Sequence, residues 1–534
     1  MGTIRPLLLG AVVCLFALPA GAATHYVATN GHHNTPFTSW YDAATNIQAA
    51  VDVATNGSSV VVSNGTYGLA SQITVTNGIT LVSLGGRDVT VVTGSSTARC
   101  VSLMHSNAVL RGLTIRGGNA LDGAGVYLYN GGHVEDCAIL NNRTESIYYG
   151  GRGAGIHVAL DGVISGCTII SNIAGRGWGG GIYAANAVTV SNCVISHNSG
   201  NYGDSAHPYA GYGGGLDLRN GGTVRHCVIE NNNAGSGGGL RCAGSWIEGC
   251  RIVSNETWFS YGFQSAWGGG IMQESTSRIE NCLIAYNQGG SSGGGVHGSP
   301  TGIVQNCTIV NNHDGGGGGG SLGGGTCGAN LRNCVVWGNT GVSGLTTNVC
   351  NYTNGTITYT CTWPLPDSGA GNFTNAPLFA DADGRLASNS PCIDTGTTNG
   401  APSVDLDGVA RPLDGDHNGT AEFDLGAYEF ASPLADTDHD GQNDEQEAIA
   451  GTDGTSSNAY FCSETAIGPG QGFGVSWETC AGRLYSLRKS TTLTNGWSDV
   501  AGQTNLPGTG GAIVYTGTLS SVREFYTVKV RRAP

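Results

Sequence analysis

The residues best suited to chemistry lie in an acidic stretch near the C-terminus, from Asp436 to Glu447. Carboxylates occupy positions 1, 3, 5, 9 and 12 of this segment, and Gly441 occupies position 6, where a Ca²⁺-binding loop turns sharply. The residue at position 7 can offer its backbone carbonyl, so six or seven oxygens could surround one Ca²⁺ ion. The alternative is a solvated acidic linker without an ion. The predicted ligands of this structural, non-catalytic Ca²⁺ are Asp436, Asp438, Asp440, Gln442, Asp444 and Glu447.

A second acidic stretch, DGDHNGTAEFDL, begins at Asp414. Its first positions carry oxygen ligands in the order expected of a calcium loop, but Leu425 occupies position 12. A bidentate ligand would therefore have to come from Asp424 or from elsewhere. The alternative is a cluster of Asx turns that holds no ion. The candidate ligands in this stretch are Asp414, Asp416, Asn418 and Asp424.

A third group of candidates is aromatic and falls in segments between residues 145 and 267. Rings on one exposed face can stack on sugar rings, and insertions in repeat proteins commonly form the binding face. The alternative is that the rings pack on one another and order the loops. The candidate glycan-binding residues are Tyr148, Tyr149, Trp178, Tyr202, Tyr209, Tyr212, Trp258, Tyr261 and Trp267.

The same segments contain a few residues that could catalyse a reaction, namely Glu145, Asp204, His207 and Glu256. Two carboxylates a few ångströms apart could hydrolyse a glycoside. Single acidic residues on exposed loops are usually only solvated, so these four remain candidates for an alternative function.

The element that must position all of these residues is a repeat, present eight times between residues 134 and 339. Each copy reads apolar, two spacers, Cys, one spacer, Ile or Val, two spacers, Asn, and a Gly-rich triplet stands upstream. Cys and the following Ile or Val share one side of a strand and can point into a common interior. We expect the cysteines to be buried thiols and the asparagines to form a ladder at about 4.8 Å spacing. The eight cysteines are Cys137, Cys167, Cys193, Cys227, Cys250, Cys282, Cys307 and Cys334.

The repeat predicts an all-β chain built as a right-handed parallel β-helix, because the shortest copy, 23 residues, suits one coil of three short strands. A short helix from Asn46 to Ala54 should cap its first coil, since Ile47, Ala50 and Val51 fall on one face. Alternating aromatic and β-branched residues after residue 459 predict a small β-sandwich. The expected divisions are 1–22 signal peptide, 23–100 cap and first coils, 101–345 repeats, 346–430 tail, 431–458 calcium loop and linker, and 459–534 sandwich.

Three resemblances add to this picture. The pattern GGG-I-Y…C-x-I-x-x-N resembles the repeats of polymorphic outer-membrane proteins and the pectate-lyase-like superfold. The stretches NAPLF, SPCID, DLDG and DLGAYE between residues 375 and 429 resemble the choice-of-anchor Q tail of exported bacterial proteins. The loop from Asp436 to Glu447 is similar to calcium loops of thrombospondin type 3 and dockerin modules. These resemblances imply a surface protein with a structural ion.

The pectate-lyase-like resemblance also implies what an enzyme of that superfold would need: an acid cluster with His and a basic pair, or calcium-held carboxylates with a Lys or Arg base. The repeat region contains no Asp-Asp pair, no Gly-His-Gly and no Lys. The sequence therefore favours an adhesive or glycan-binding structural protein. A polysaccharide lyase or glycoside hydrolase remains the alternative.

Charge and the N-terminus indicate where the protein acts. The net charge is −15, and the only lysines, Lys489 and Lys529, lie near the C-terminus, so nucleic-acid binding is not expected. Arg5, an apolar stretch over 7–18 and the small residues at 20–22 have the layout of a secretory signal peptide. No later run of eighteen apolar residues predicts a membrane-spanning helix. We expect a secreted or cell-surface protein whose partner is a polysaccharide or surface glycan.

Overall fold

The computed structural model describes most of the chain as one long β-solenoid followed by a tail and a small C-terminal unit. It describes residues 22–144, 150–175, 177–200, 211–258, 266–316, 323–343, 346–416, 418–431, 444–450, 452, 463–468, 472–490, 497–518 and 525–532.

Most coils of the solenoid contribute strands to three sheets, in which the strands of successive coils pair in parallel. In one coil the chain runs through the strands Val126–Leu128, His133–Glu135, Ala138–Leu140 and Arg143–Thr144. Every strand pairs in parallel with its counterpart in the next coil, so that Val126 lies beside Ile156. This stacking confirms the all-β solenoid that the repeat predicted.

The first sheet receives two strands from most coils and has 23 strands in the described structure. These strands are Thr24–Val27, Ser59–Val62, Gly65–Gly68, Thr80–Ser83, Thr90–Thr93, Val109–Arg111, Thr114–Arg116, His133–Glu135, Ala138–Leu140, Val163–Ser165, Thr168–Ile170, Thr189–Ser191, Val194–Ser196, Thr223–Arg225, Val228–Glu230, Trp246–Glu248, Arg251–Val253, Arg278–Glu280, Leu283–Ala285, Ile303–Gln305, Thr308–Val310, Leu331–Trp337 and Ile357–Thr362.

The second sheet carries one strand from each coil and is the sheet that follows the Gly triplets. Its strands are Ile73–Val75, Val101–Leu103, Val126–Leu128, Ile156–Val158, Ile182–Ala184, Leu216–Leu218, Leu240–Ala243, Ile271–Glu274, Val296–His297, Thr326–Cys327 and Tyr352–Thr353. The third sheet is made of shorter strands, in a group of two and a group of six, and its last two strands pair antiparallel. These strands are Arg143–Thr144, Ile173–Ala174, Asn233–Ala234, Glu256–Thr257, Gln288–Gly289, His313–Asp314, Thr340–Ser343 and Thr346–Val349.

The interior is a stack of identical positions from successive coils. Each ladder cysteine is buried and free, and it lies beside the Ile or Val two residues further on, as the alternation of side chains requires. Burial raises the pKa of Cys137 and of Cys334 to about 12. These thiols therefore behave as small apolar groups.

Thiol reactivity tests this description. Because only thiolates react rapidly, we expect native Cys137 and Cys334 to be alkylated at pH 8 at least about a hundredfold more slowly than the half-buried Cys350, as mapped by mass spectrometry. After denaturation without reductant, all eight ladder cysteines should react. A ladder cysteine that stays unlabelled in the denatured chain would show that it is oxidised.

The asparagines form a continuous ladder through the coils. The side-chain amide of Asn142 donates to Oδ1 of Asn172 at 3.0 Å, and the same contact recurs up to Asn339 and Asn351. The left-handed backbone of the corner belongs to the preceding residue, such as Asn141 with φ 52°, rather than to the ladder asparagine itself. The ladder asparagines therefore serve hydrogen bonding, and the turn is made by their neighbours.

Glycine is required at the next corner, which the Gly triplets form. Gly179, the first residue of one triplet, has φ 62°, a conformation that glycine adopts without a Cβ penalty. A Cβ on Gly180 would lie 2.5 Å from backbone atoms of Ser199. The triplet thus allows two stretches of backbone to approach closely where the second sheet begins.

The first coil is covered by helix α1, Ile47–Val53, and Asn46 caps it by accepting a hydrogen bond from the Ala49 amide at 2.9 Å. Ile47, Ala50 and Val51 are buried on its inner face, which confirms the predicted cap. At the other end, the solenoid continues through Ile357–Thr362, past the last copy of the Cys pattern, because Asn351 takes the next place in the ladder.

The tail after this strand packs along the outside of the first sheet. Leu386, Cys392 and Leu425 from the tail form a buried cluster with Val335 and Cys361 from the coils. Backbone amides of Gly426 and Ala427 donate to Asn333 and Thr308. The tail is therefore docked on the outer surface of the solenoid through an apolar cluster that is separate from the solenoid core.

The C-terminal unit follows helix α2, Asp444–Ala450. Two small antiparallel sheets share one apolar core that includes Trp477 and Tyr485, in agreement with the predicted sandwich. Its strands are Ser463–Gly468, Gly472–Trp477, Arg483–Ser490, Ser498–Asp499, Leu506–Pro507, Ile513–Thr518 and Phe525–Arg532. Among the described residues, no helix has the length and apolar character needed to span a membrane.

Candidate functional site

The outer face of the second sheet carries large polar and aromatic side chains on consecutive coils. The first and third residues of each strand point into the core, as Ile156 and Val158 do, so the middle residue points outward. We call this surface the sheet-2 face. Its middle positions, in coil order, are Tyr127, His157, Tyr183, Asp217, Arg241, Met272 and His297.

A second row borders this face, at the residue before each Gly triplet. Trp178 is paired in parallel with Arg152 on one side and with Tyr212 on the other, and the row continues to Ser236. Trp267 occupies the equivalent position one coil further on, where its carbonyl accepts a hydrogen bond from Gly237. Three of the predicted aromatic residues, Trp178, Tyr212 and Trp267, therefore lie in one row, and each is partly exposed.

Arginines are interleaved with these rings. The guanidinium carbon of Arg219 lies 4.9 Å from the centre of the Trp178 ring and 5.8 Å from those of Tyr183 and Tyr212. That of Arg241 lies 4.8 Å from the Tyr212 ring. Such cation–π contacts hold the planar groups in fixed orientations.

The same arginines are fixed by carboxylates. Asp217 is fully buried and accepts from Arg219 Nε at 3.0 Å and from Arg241 Nη1 at 3.3 Å. Arg241 also donates to Glu274 at 2.7 Å. Burial raises the pKa of Asp217 to about 6, against the attraction of the two guanidinium groups. This network spans three coils and presents hydrogen-bonding groups in a rigid arrangement.

A second polar cluster lies nearer the N-terminus of the face. Arg152 makes two 2.8 Å hydrogen bonds to the carboxylate of Asp122, and His157 Nδ1 lies 3.7 Å from Asp122 Oδ1. Burial alone would raise the pKa of Asp122, but His157 and Arg152 together lower it to about 2. Burial lowers the pKa of His157, which packs between Tyr127 and Tyr183. The imidazole is therefore neutral at pH 7.

Towards the other end of the face, the rings of Trp267 and His297 are stacked, with centroids 4.9 Å apart and an angle of 8° between the planes. The hydroxyl of Ser292 lies 3.0 Å from Nδ1 of His297. The aromatic and polar surface thus extends from Tyr127 to His297.

The other predicted glycan-binding residues are placed differently. Trp258 is 60% exposed at the start of an insertion, beside the third sheet, where its amide donates to the Ala234 carbonyl. Tyr148, Tyr149, Tyr202, Tyr209 and Tyr261 lie outside the described residues.

Of the four catalytic candidates, only Glu256 falls within the described residues. Glu256 lies on the third sheet, paired with Asn233 and Gln288. Glu145, Asp204 and His207 lie outside the described residues.

The middle positions of the second sheet were not among the residues predicted from the sequence. Their signal was available, because each stands two residues after a Gly triplet and directly after an apolar residue, as His157 does in GAGIHV. The residue type changes at every coil, so no repeated letter marked them. Only the alternation of side chains would have predicted that they share one surface.

The acidic candidates of the tail fall into two groups. One carboxylate oxygen each from Asp394, Asp414 and Asp416 lies within 4.8 Å of the others. Within the loop, Asn418 donates its amide to both Asp414 and Asp416 at 3.0 Å. The carboxylate of Asp424 faces elsewhere and accepts from the Asp394 and Phe430 amides at 2.7 and 2.5 Å.

Only the end of the longer acidic loop is described. Asp444 begins helix α2, and the buried Glu447 accepts a hydrogen bond from the Thr452 hydroxyl at 3.4 Å. Asp436, Asp438, Asp440 and Gln442 lie outside the described residues.

The comparison with protein families agrees with the architecture. A family model described as right handed beta helix region matches residues 95–271 and 154–360. Among solved structures, the crystal structure of pectate lyase Pel9A is similar with a TM-score of 0.42 and 16% identity, over 77% of this chain and 98% of that chain. ORF18 of Geobacillus virus E2 is similar with a TM-score of 0.30 and 14% identity, over 56% and 57%. A comparison with curated proteins found no match.

Proposed function

From the premise that this chain is a right-handed parallel β-helix protein, we propose that the sheet-2 face binds a polysaccharide. The main observation in favour of this proposal is a row of partly exposed aromatic residues with arginines between them. The row contains Trp178, Tyr212 and Trp267, and the arginines are Arg219 and Arg241. The coil needs none of these side chains for its own core, which is filled by the inward residues. Their arrangement supports a ligand that offers flat apolar faces and many hydroxyl groups.

The chemistry of the face fits sugars. Aromatic rings can stack on the apolar faces of sugar rings, while fixed guanidinium and carboxylate groups can exchange hydrogen bonds with hydroxyls. Arg152, Arg219 and Arg241 are paired with Asp122, Asp217 and Glu274, so three positive charges are balanced by three negative ones. A neutral or weakly acidic polysaccharide is therefore the favoured ligand class.

The role we propose is adhesive or structural, at or outside the cell surface. The predicted signal peptide supports export, and the rigid solenoid supports an extended binding surface. We also propose that the Asp436–Glu447 loop holds a structural Ca²⁺, on the strength of its ligand spacing.

The rival function is a polysaccharide lyase or glycoside hydrolase. The cluster of Asp122, Arg152 and the neutral His157 favours it, because a neutral imidazole can accept a proton. Asp122 and Asp217 belong to coils three steps apart, which places them about 14 Å apart at 4.8 Å per coil. That separation exceeds the distance between the two carboxylates of a glycosidase, so these two residues do not support hydrolysis.

Replacing Trp178 by alanine tests binding directly. We expect about tenfold weaker retention on a polysaccharide that the unaltered protein binds, because one stacking surface is lost. The assay is affinity electrophoresis across a panel of neutral and acidic polysaccharides. Trp246→Ala is the matched control, since Trp246 also stacks on an arginine, Arg225 at 4.2 Å, but on the first sheet.

The panel of polysaccharides distinguishes binding at the sheet-2 face from catalysis. Retention that falls for Trp178→Ala and not for Trp246→Ala supports the sheet-2 face, whereas equal effects contradict it. Unsaturated products or new reducing ends that disappear in His157→Gln would favour the enzyme. If no polysaccharide is bound or cleaved, the face has a structural role and the proposed function is wrong.

A further inference from the structure

The tail contains a carboxylate whose burial the loop beside it does not explain. Asp394 is 7% exposed, and its Oδ2 accepts a hydrogen bond from the Asp416 amide at 2.8 Å, which turns the carboxylate towards the 414–419 loop. Its Oδ1 is buried and has no hydrogen-bond partner in the described structure. A buried polar oxygen without a partner costs about 1–3 kcal/mol. A bound cation would satisfy it.

The loop itself supplies two more carboxylates at the same place. One oxygen from each of Asp394, Asp414 and Asp416 lies within 4.8 Å of the others, although Asp394 is twenty residues away from Asp414 in the sequence. The amides of Asn418 and Gly419 donate to Asp414 and Asp416, as they would in a chain of Asx turns. Asx turns alone would not bring a third, buried carboxylate against the loop.

We propose that Asp394, Asp414 and Asp416 bind one Ca²⁺ ion, which joins the 414–419 loop to the segment that carries Asp394. All three ligands are hard oxygen donors, and among the residues that the structure describes, which leave out His417, no nitrogen or sulfur ligand belongs to the cluster. This donor set favours Ca²⁺ over transition metals. Asp414 is partly exposed and Asp416 is exposed, so water can complete the coordination shell.

The position of Asp394 gives this ion a specific role. The preceding residues, Cys392 and Ile393, pack in the apolar cluster between the tail and the coils. The Asp394 amide is held by Asp424, and the carbonyl of Cys392 accepts from the Leu425 amide at 3.0 Å. The ion therefore ties the acidic loop to the part of the tail that is docked on the β-helix. This inference is independent of the polysaccharide proposal.

The test is isothermal titration of Ca²⁺ into the chelator-treated full chain. We expect the number of bound ions to fall by one in Asp394→Asn, or the affinity of one site to fall at least tenfold, because the substitution removes the anionic ligand and keeps its shape. Asp161→Asn, an exposed carboxylate on the coils, is the matched control. Asp440→Ala removes a predicted ligand of the longer loop and should abolish a different ion.

A second variant distinguishes the loss of the ion from a folding defect. Asp416→Asn alters an exposed side chain, so it should keep the fold and show the same loss as Asp394→Asn. Circular dichroism and the thermal unfolding curve report whether the β-helix is intact. Ca²⁺ stoichiometry and affinity that are unchanged in both variants, or that change only in Asp440→Ala, would overturn the proposal.

Discussion

Replacing Asn198 by alanine should lower the free energy of unfolding by about 3–5 kcal/mol, because it opens the asparagine ladder in the middle of the solenoid. Oδ1 of Asn198 accepts from the backbone and side-chain amides of Asn172 at 3.0 and 2.9 Å. Its own amide donates to the Ile169 carbonyl and to Asn232 at 2.8 and 3.0 Å. All of these groups are buried, so water cannot replace the Asn198 side chain as the hydrogen-bond partner of the groups that it leaves behind.

Urea unfolding measures this effect, and Asn220→Ala is its control. Asn220 also donates its side-chain amide to a carbonyl, that of Ala185 at 2.8 Å, but it is exposed. Water can replace its hydrogen bond, so we expect a loss below about 1 kcal/mol. Equal losses for the two variants would show that the ladder contributes no more than surface hydrogen bonds.

The second large effect concerns Arg411, which is fully buried in the tail. Its Nε lies 3.1 Å from Glu429 Oε2, and its Nη2 donates to the Gly426 carbonyl at 3.1 Å. The carboxylate of Asp405 is buried nearby, and its oxygens accept the Val409 and Glu429 amides. Arg411→Met should destabilise the tail by about 3–5 kcal/mol, because the carboxylates lose the cation that compensates their burial.

The effect of Arg411→Met should grow with pH. Burial raises the pKa of Asp405 to about 6 and that of Glu429 to about 7, above their unfolded values. The two carboxyl groups therefore stabilise the folded state at low pH, and this contribution to the free energy of unfolding is lost as the pH rises through 6 and 7. We expect a larger loss at pH 8 than at pH 5, measured by thermal unfolding.

Arg111→Met is the control for this prediction, because Arg111 forms an exposed pair with Glu135. Its loss should cost less than about 1 kcal/mol at either pH. An Arg411 variant that is no less stable than Arg111→Met, or that is equally affected at pH 5 and pH 8, would contradict the assignment.

The coil was predictable from the sequence because its constraints are local and recur at each turn. Cys137 and Ile139 indicate a strand whose side chains point into the core, and the triplet that ends at Gly125 indicates a corner. The same pattern predicts the same structure in each repeat. The asparagine ladder was predicted, whereas the left-handed turn that Asn141 and its equivalents make was not. A hydrogen-bond ladder and a tight turn both favour asparagine, and adjacent positions cannot be told apart by composition.

The candidate sites were harder to predict because they depend on contacts between distant segments. No spacing rule connects Asp394 with Asp414, since the chain between them is irregular and its path is set by docking on the coils. Likewise, Arg219 meets Trp178 only because two coils are stacked in register. Such sites follow from three-dimensional stacking, which a single repeat unit does not encode.

The parallel register of the second sheet has an evolutionary consequence. Each coil adds one middle residue to the sheet-2 face, about 4.8 Å further along the axis, while its inward residues match those of any neighbour. Duplication or deletion of one coil in the gene would therefore lengthen or shorten this surface by one fixed step and leave the interior intact. Substitution at a middle position such as Tyr183 would change the surface chemistry at one step only. Length and composition of the surface can thus diversify separately in a lineage.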